Sequence, residues 1–398
     1  MFITNLCPMK TNPHISKRAG NIPKSPIHEM TELSTKIDDV AFLSWAKPTG
    51  DTPEHIKNAA IEAINKGKTA AYSQTSGLPE LKEAVTHKLK RFNNIDATPD
   101  EILISSGAIE GLAAALMATV NPDEEVIIPV PGYSSHIRQV EIAGGKPVMV
   151  PTKEAEGFKL DMEKIESAIT SETKAILLSN PNNPTGAVYS KEQLEELAGI
   201  VKRNDLIVIV DEAYEYFTFD GYKHFSIASL DGMHDRVISV FTFTKTYAMT
   251  GWRVGYIHAR ADWIPQIIKM HIPIAICAPV VSQYAAIAAL EGPQDCIADF
   301  RNHYNRIREQ MCARLDKLDE IFDYQRPRGA YLMFPRIKHP DGKDSLSFAK
   351  KLLKEAGVST TPGIAFHSEG HIRLSFCVTE EMVTKAFDRM EDYFGIKQ

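Results

Sequence analysis

Residues 237–255 read VISVFTFTKTYAMTGWRVG. The first seven are β-branched or aromatic almost throughout, which predicts a strand over 237–243. Polarity then arrives at once, with hydroxyls at Thr242, Thr244 and Thr246 around Lys245, and Arg253 eight residues beyond it. Five more short apolar runs lie upstream, at 101–104, 125–128, 147–150, 175–179 and 206–210, separated by helical patterns that begin near Pro53. Such alternation predicts an α/β fold, a three-layer α/β/α domain whose mainly parallel sheet is covered on both faces.

Beyond about Gly292 the texture changes to a long charged helix over 299–318, an apolar run at 331–334, a helix over 345–356 and a second run at 371–376. That pattern predicts a smaller α+β domain. At the other end, a polar, proline-punctuated arm leads to a helix over 27–36 and the apolar residues 40–43. The expected division is 1–47 for the arm and part of the small domain, 48–290 for the large domain and 291–398 for the small C-terminal domain.

The bulk composition narrows the function classes. With 398 residues, 43% of them hydrophobic, the chain is neither a disordered segment nor a small disulfide scaffold. Its net charge of −6 gives no footprint for nucleic acid or an anionic membrane, and favours small-molecule partners. The first residues lack the apolar core of a signal peptide, and the apolar-rich stretch 273–290 is broken by Pro279, Ser282 and Gln283, so no membrane span is expected. Cys7, Cys277, Cys296, Cys312 and Cys377 form no CxxC pair, which points to a reducing, cytoplasmic setting. His367 and His371 are four apart, but Gly370 between them breaks a helix, and no metal site is expected there.

In an open α/β sheet, ligands bind beyond the carboxyl ends of the strands. Four such ends carry chemistry. The run at 101–104 leads through Ser105-Ser106-Gly107 to Ala108 and Ile109, whose backbone N–H groups would open a helix and suit a phosphate. The run at 175–179 ends in Asn180-Pro181-Asn182-Asn183-Pro184, a rigid turn presenting amides. Asp211 follows four apolar residues, a placement that demands a partner for its charge. Lys245 follows the last run, close enough to Arg253 for its amine to be made nucleophilic. Singly these are ordinary turns, caps and loop charges; on one edge of one sheet they suit a phosphorylated heteroaromatic aldehyde.

Five segments in order carry a resemblance: Tyr72-x4-Gly77-Leu78-x2-Leu81, Asn180-Pro181-x-Asn183-Pro184-Thr185-Gly186, Asp211-Glu212-x-Tyr214, Thr242-x-Thr244-Lys245-x7-Arg253-x-Gly255, and Arg373-Leu374-Ser375. Together they resemble the class I/II aminotransferases, pyridoxal 5'-phosphate (PLP) enzymes of fold type I in the aspartate aminotransferase superfamily. The resemblance runs from about Ser25 to the C-terminus. It implies that Lys245 joins PLP as a Schiff base, that Asp211 pairs with the pyridine nitrogen, and that Tyr214 and Asn183 reach the phenolic oxygen. Tyr133 would stack on the ring. The phosphate would take the N–H groups of Ala108 and Ile109, the hydroxyls of Thr242 and Thr244, and the charge of Arg253. Tyr72 would reach the phosphate of a neighbouring subunit, implying a homodimer with shared active sites. Arg373, helped by Asn183, would clamp the substrate α-carboxylate.

The implied reaction is ping-pong transfer of an amino group from an L-amino acid to a 2-oxo acid such as 2-oxoglutarate, with Lys245 as the base. Two departures bear on the donor. Ala46 stands where many relatives have glycine, and Ser106-Gly107-Ala108 lacks the lysine that some aspartate-specific relatives carry. With Trp45, Tyr72, Tyr133 and Phe366 expected around the site, neutral or aromatic donors are favoured over aspartate. Other outcomes on the same scaffold are a C–S β-lyase or an aminocyclopropane-carboxylate synthase-like reaction. A noncatalytic sensor of the regulator type would need a DNA-binding domain, for which the residues before Ser25 leave no room.

Overall fold

The computed structural model describes residues 14–396; Cys7 and the first part of the expected arm lie outside the described residues. Seven strands form the central sheet: β1 (Ile102–Ser105), β2 (Glu125–Val130), β3 (Lys146–Pro151), β4 (Thr173–Ser179), β5 (Ile207–Asp211), β6 (Val237–Thr242) and β7 (Gly255–His258). Their spatial order is β1-β7-β6-β5-β4-β2-β3. All neighbours are parallel except β7, which runs antiparallel between β1 and β6.

The inner strands read as nearly unbroken apolar runs because both of their faces are covered. In β5, Ile207 and Ile209 join one core cluster, and Val208 and Val210 join the other, as the period of two requires. Helices Ala108–Thr119 and Ile264–Ala275 pack on the first face, and Pro79–Lys88 and Val280–Glu291 on the second.

Two departures from the sequence reading matter to the site. Strand β6 stops at Thr242, whose hydroxyl accepts a hydrogen bond from the Thr244 N–H and so caps a four-residue helix, Phe243–Thr246. Lys245 is therefore fixed on a helical turn and not carried on a loop. At the other end of the sheet, Glu101 is not in a strand; it closes a capping box with Thr98 in the turn Pro99–Glu101.

A second core gathers around helices Asp295–Asp316, Ser345–Ala356 and Glu380–Phe394 and a three-stranded antiparallel sheet in which Ile372–Ser375 is central. The strand Ala41–Phe42 pairs in parallel with Val358–Ser359, so Ala41 and Leu43 enter this core from the far end of the sequence. The expected helix at 27–36 is Pro26–Ser34. Among the described residues no helix is long and apolar enough to cross a membrane, and Cys277, Cys296, Cys312 and Cys377 are free.

Candidate active site

The carboxyl ends of β4, β5 and β6 open into a cavity of about 450 Å³. Of the residues expected at the site, all but Tyr72 and Phe366 line it. Tyr72 is 76% exposed and sits on a separate hollow beside Ile274 and Ser106. Phe366 does not line the cavity either, contrary to expectation. It is fully buried, with its ring 5.0 Å from the Arg373 guanidinium carbon, and so supports the arginine from behind.

One end of the cavity is built for an anion. Gly107, at φ +81°, turns the chain so that the helix Ala108–Thr119 points its first N–H groups inward. A Cβ at Gly107 would lie 2.3 Å from Arg253 Nη2, so the close approach of that guanidinium requires glycine. Gly255 is equally constrained, since its Cβ would meet Ala108 N at 3.0 Å. The Thr242 hydroxyl lies 2.8 Å from that of Thr244. Among the described residues, Arg253 donates to the carbonyls of Thr250 (3.3 Å) and Ser106 (3.4 Å) and to no carboxylate.

At the opposite end, Arg373 is 3% exposed. It donates to the Ser44 carbonyl at 2.7 Å, the Thr361 hydroxyl at 3.3 Å and Asn183 Oδ1 at 3.3 Å, and its Nε has no partner. No carboxylate neutralises it among the described residues, and burial pulls its pKa down. A buried guanidinium without a counter-ion is costly alone and well suited to receive an anion.

Lys245 lines the same cavity as both arginines, half-buried, its ammonium 2.8 Å from the Ala46 carbonyl. Burial pushes its pKa down to about 8, with Arg373 and Arg253 acting in the same sense, against Cys377 and Asp211. On the cavity wall, Asp211 accepts from the Ala213 N–H at 3.1 Å and lies 3.2 Å from His136 Nε2. His136, 1% exposed, is a member of the site that the sequence did not reveal. It lies on the helix Ser134–Ala143, three residues after Tyr133, whose ring meets it edge-on at 5.5 Å. Tyr214 packs edge-on against Tyr331 at 5.0 Å, and Tyr331 donates to the Ala46 carbonyl at 3.3 Å. Tyr331 is a second missed contributor, disguised as core by its apolar neighbours.

These residues fit PLP: an N–H, hydroxyl and arginine cradle for a phosphate, a carboxylate for a ring nitrogen, and an amine of lowered pKa for an aldehyde.

Residues 39–390 match the family model described as aminotransferase class I and II. The chain is 41% identical over 382 residues to an aspartate aminotransferase of Pyrococcus abyssi, covering 95% of this chain and 97% of the relative. It is 40% identical over 382 residues to aromatic-amino-acid aminotransferase 2 of Thermococcus litoralis, with the same coverage, 95% and 97%. Among solved structures, the aromatic aminotransferase from Pyrococcus horikoshii matches with a TM-score of 0.87 at 41% identity, over 93% of this chain and 98% of that one. The aspartate aminotransferase from Thermus thermophilus with maleate matches with a TM-score of 0.90 at 33% identity, over 95% and 99%.

Proposed function

The chain belongs to the class I and II aminotransferases, PLP-dependent enzymes, and on that premise we propose how its own residues divide the work and which donors they favour. One observation carries the reading: the Lys245 amine shares a single cavity with Arg253 and Arg373, and among the described residues no carboxylate pairs with either arginine. PLP, when bound, supplies an aldehyde that takes up the amino group and a ring that draws electrons from the α-carbon. Arg253, the Thr242 and Thr244 hydroxyls and the N–H groups of Ala108 and Ile109 would hold its phosphate. Asp211, oriented by His136, would keep a proton at the ring nitrogen. Tyr214 and Asn183 would meet the phenolic oxygen, and Tyr133 would cover the ring. Arg373 fixes the substrate carboxylate, which sets the α-proton toward Lys245. With its pKa near 8, the Lys245 amine serves as the base that removes that proton.

The relatives include aspartate and aromatic enzymes at nearly equal identity, so likeness alone leaves the donor open. The walls favour neutral or aromatic side chains. Ile27, Trp45 and Tyr133 line the cavity, while its arginines are committed to the two ends and Lys47 lies exposed on the rim. Ala46 narrows the floor by one methyl group relative to glycine. We assign Lys47 to the distal carboxylate of an acceptor such as 2-oxoglutarate.

The outward placement of Tyr72 supports a homodimer in which it reaches the partner's phosphate. Four unpaired cysteines fit a cytoplasmic setting. Pairing of Ala41–Phe42 with Val358–Ser359 supports a discontinuous small domain of residues 1–47 and 291–398 around a large domain of 48–290. Adding amino acids singly to the PLP-loaded protein and following visible absorbance tests the donor reading. Fast bleaching by aromatic or neutral amino acids is expected; bleaching by aspartate and glutamate alone would overturn it.

A further inference from the structure

The sheet has a second polar cluster at the edge away from the cavity. Because β7 runs antiparallel between β1 and β6, its last residue, His258, lies in register with Ile102, the first residue of β1, and with Ser239, the third residue of β6. Glu101 closes the turn that enters β1, and His234 lies in the turn His234–Arg236 that enters β6. One ligand atom from each of Glu101, His234 and His258 lies within 4.8 Å of the other two. Glu101 Oε1 is 2.6 Å from His234 Nε2, while Oε2 accepts from the Thr98 N–H at 2.8 Å, which fixes the carboxylate. His258 is 0% exposed, and among the described residues neither of its ring nitrogens has a partner. A buried imidazole without partners is rare and costly, so a group from outside the chain is expected to satisfy it. Across the ladder, Ser239 likewise keeps a buried hydroxyl without a partner on the same face.

We propose that Glu101, His234 and His258 form a binding site for a zinc-class divalent cation that clamps β1, β7 and β6 at the end remote from the chemistry. Two imidazoles and one carboxylate are a donor set suited to zinc, and a water would complete four ligands. The His234 side chain is 37% exposed, which gives the ion a path in. The ligands are scattered at 101, 234 and 258, so no sequence spacing announces them. The neighbouring triplet Glu212, Glu215 and His224 is a poorer candidate, because Lys88 already places its ammonium 2.5 Å from Glu215.

The test strips the holoenzyme with a chelator, dialyses it against low-micromolar zinc and counts metal per chain. One zinc is expected in the wild type and in His224→Ala, and none in His234→Ala or in Glu101→Gln, which keeps the acceptor for Thr98. Zinc should raise the melting temperature of the wild type by about 3–5 °C and leave that of His234→Ala unmoved. Transamination should change less than about twofold in His234→Ala, which shows that the variant folds. A wild type that retains no zinc, or a His234→Ala protein that retains as much as the wild type, would overturn the site.

Discussion

Lys88 and Lys245 are both drawn out of water, Lys88 fully and Lys245 in part, and they differ most in whether a carboxylate pairs with them. Lys88 is 2% exposed and sits 2.5 Å from Glu215 Oε1 and 2.8 Å from Asn93 Oδ1. The rings of Phe92, Tyr216, Phe241 and Tyr256 enclose its ammonium, the farthest at 5.8 Å. Burial pulls its pKa down, but the carboxylate opposes that pull. Lys245 donates to the Ala46 carbonyl and has the Tyr214 and Tyr331 rings 5.9 and 6.0 Å away, but no carboxylate pairs with it among the described residues, and two arginines add to the effect of burial. Desolvation acts on both; the counter-ion separates them. Lys88 is a satisfied cation inside the core, whereas Lys245 is an amine held near neutrality where a substrate can reach it.

The comparison breaks most sharply at Lys245. Lys245→Ala should lower turnover by a factor on the order of 10⁴ or more while PLP still binds noncovalently, as steady-state rates and absorbance would show. Near-normal activity would remove the assignment.

Lys88→Met should instead cost stability, about 3–5 kcal/mol in denaturant unfolding, because Glu215 is left charged and unpaired; the rate per folded molecule should hold. Adding Glu215→Gln should recover much of the loss, and if it recovers nothing the pair is not what anchors Lys88.

The pH dependence sharpens the contrast further. The nucleophile is the neutral amine, so PLP uptake by the cofactor-free chain should quicken about tenfold per pH unit below 8 and level off above it. A rate still climbing past pH 10 would mean an ordinary lysine.

The smallest effect belongs to the third lysine, Lys47, exposed on the rim. Lys47→Ala should raise KM for 2-oxoglutarate up to about fivefold, the scale of an exposed ion pair, and leave KM for a neutral donor alone. Equal changes for both substrates would deny it a role with the distal carboxylate.

Strands β1, β2, β4, β5 and β6 were legible because a strand buried on both faces is apolar nearly throughout, and each ended where polarity returned; β3, the exposed edge strand, was legible from its own short apolar run Pro147–Val150. Strand β7 was not legible. Only Tyr256 and Ile257 lie between Gly255 and His258, too short a run to signal a strand, and its place in the sheet comes from pairing with β1 and β6. Lys245, Asp211, Arg253 and Arg373 could be read because charge at a strand end is costly without a purpose. His136 could not, since one histidine on an amphipathic helix carries no pattern, and its partnership with Asp211 spans 75 residues. Phe366 was read as a wall because aromatics near a site suggest one; packing against Phe334 at 5.8 Å put it behind Arg373 instead.

This cavity moves an amino group and does not expel one. A single measurement decides it: mix the PLP-loaded protein with one donor amino acid and no acceptor, then quantify 2-oxo acid, pyridoxamine phosphate and ammonia. One 2-oxo acid and one pyridoxamine phosphate per active site are expected, with no ammonia. Ammonia and 2-oxo acid accumulating over many turnovers, with the cofactor still PLP, would contradict it.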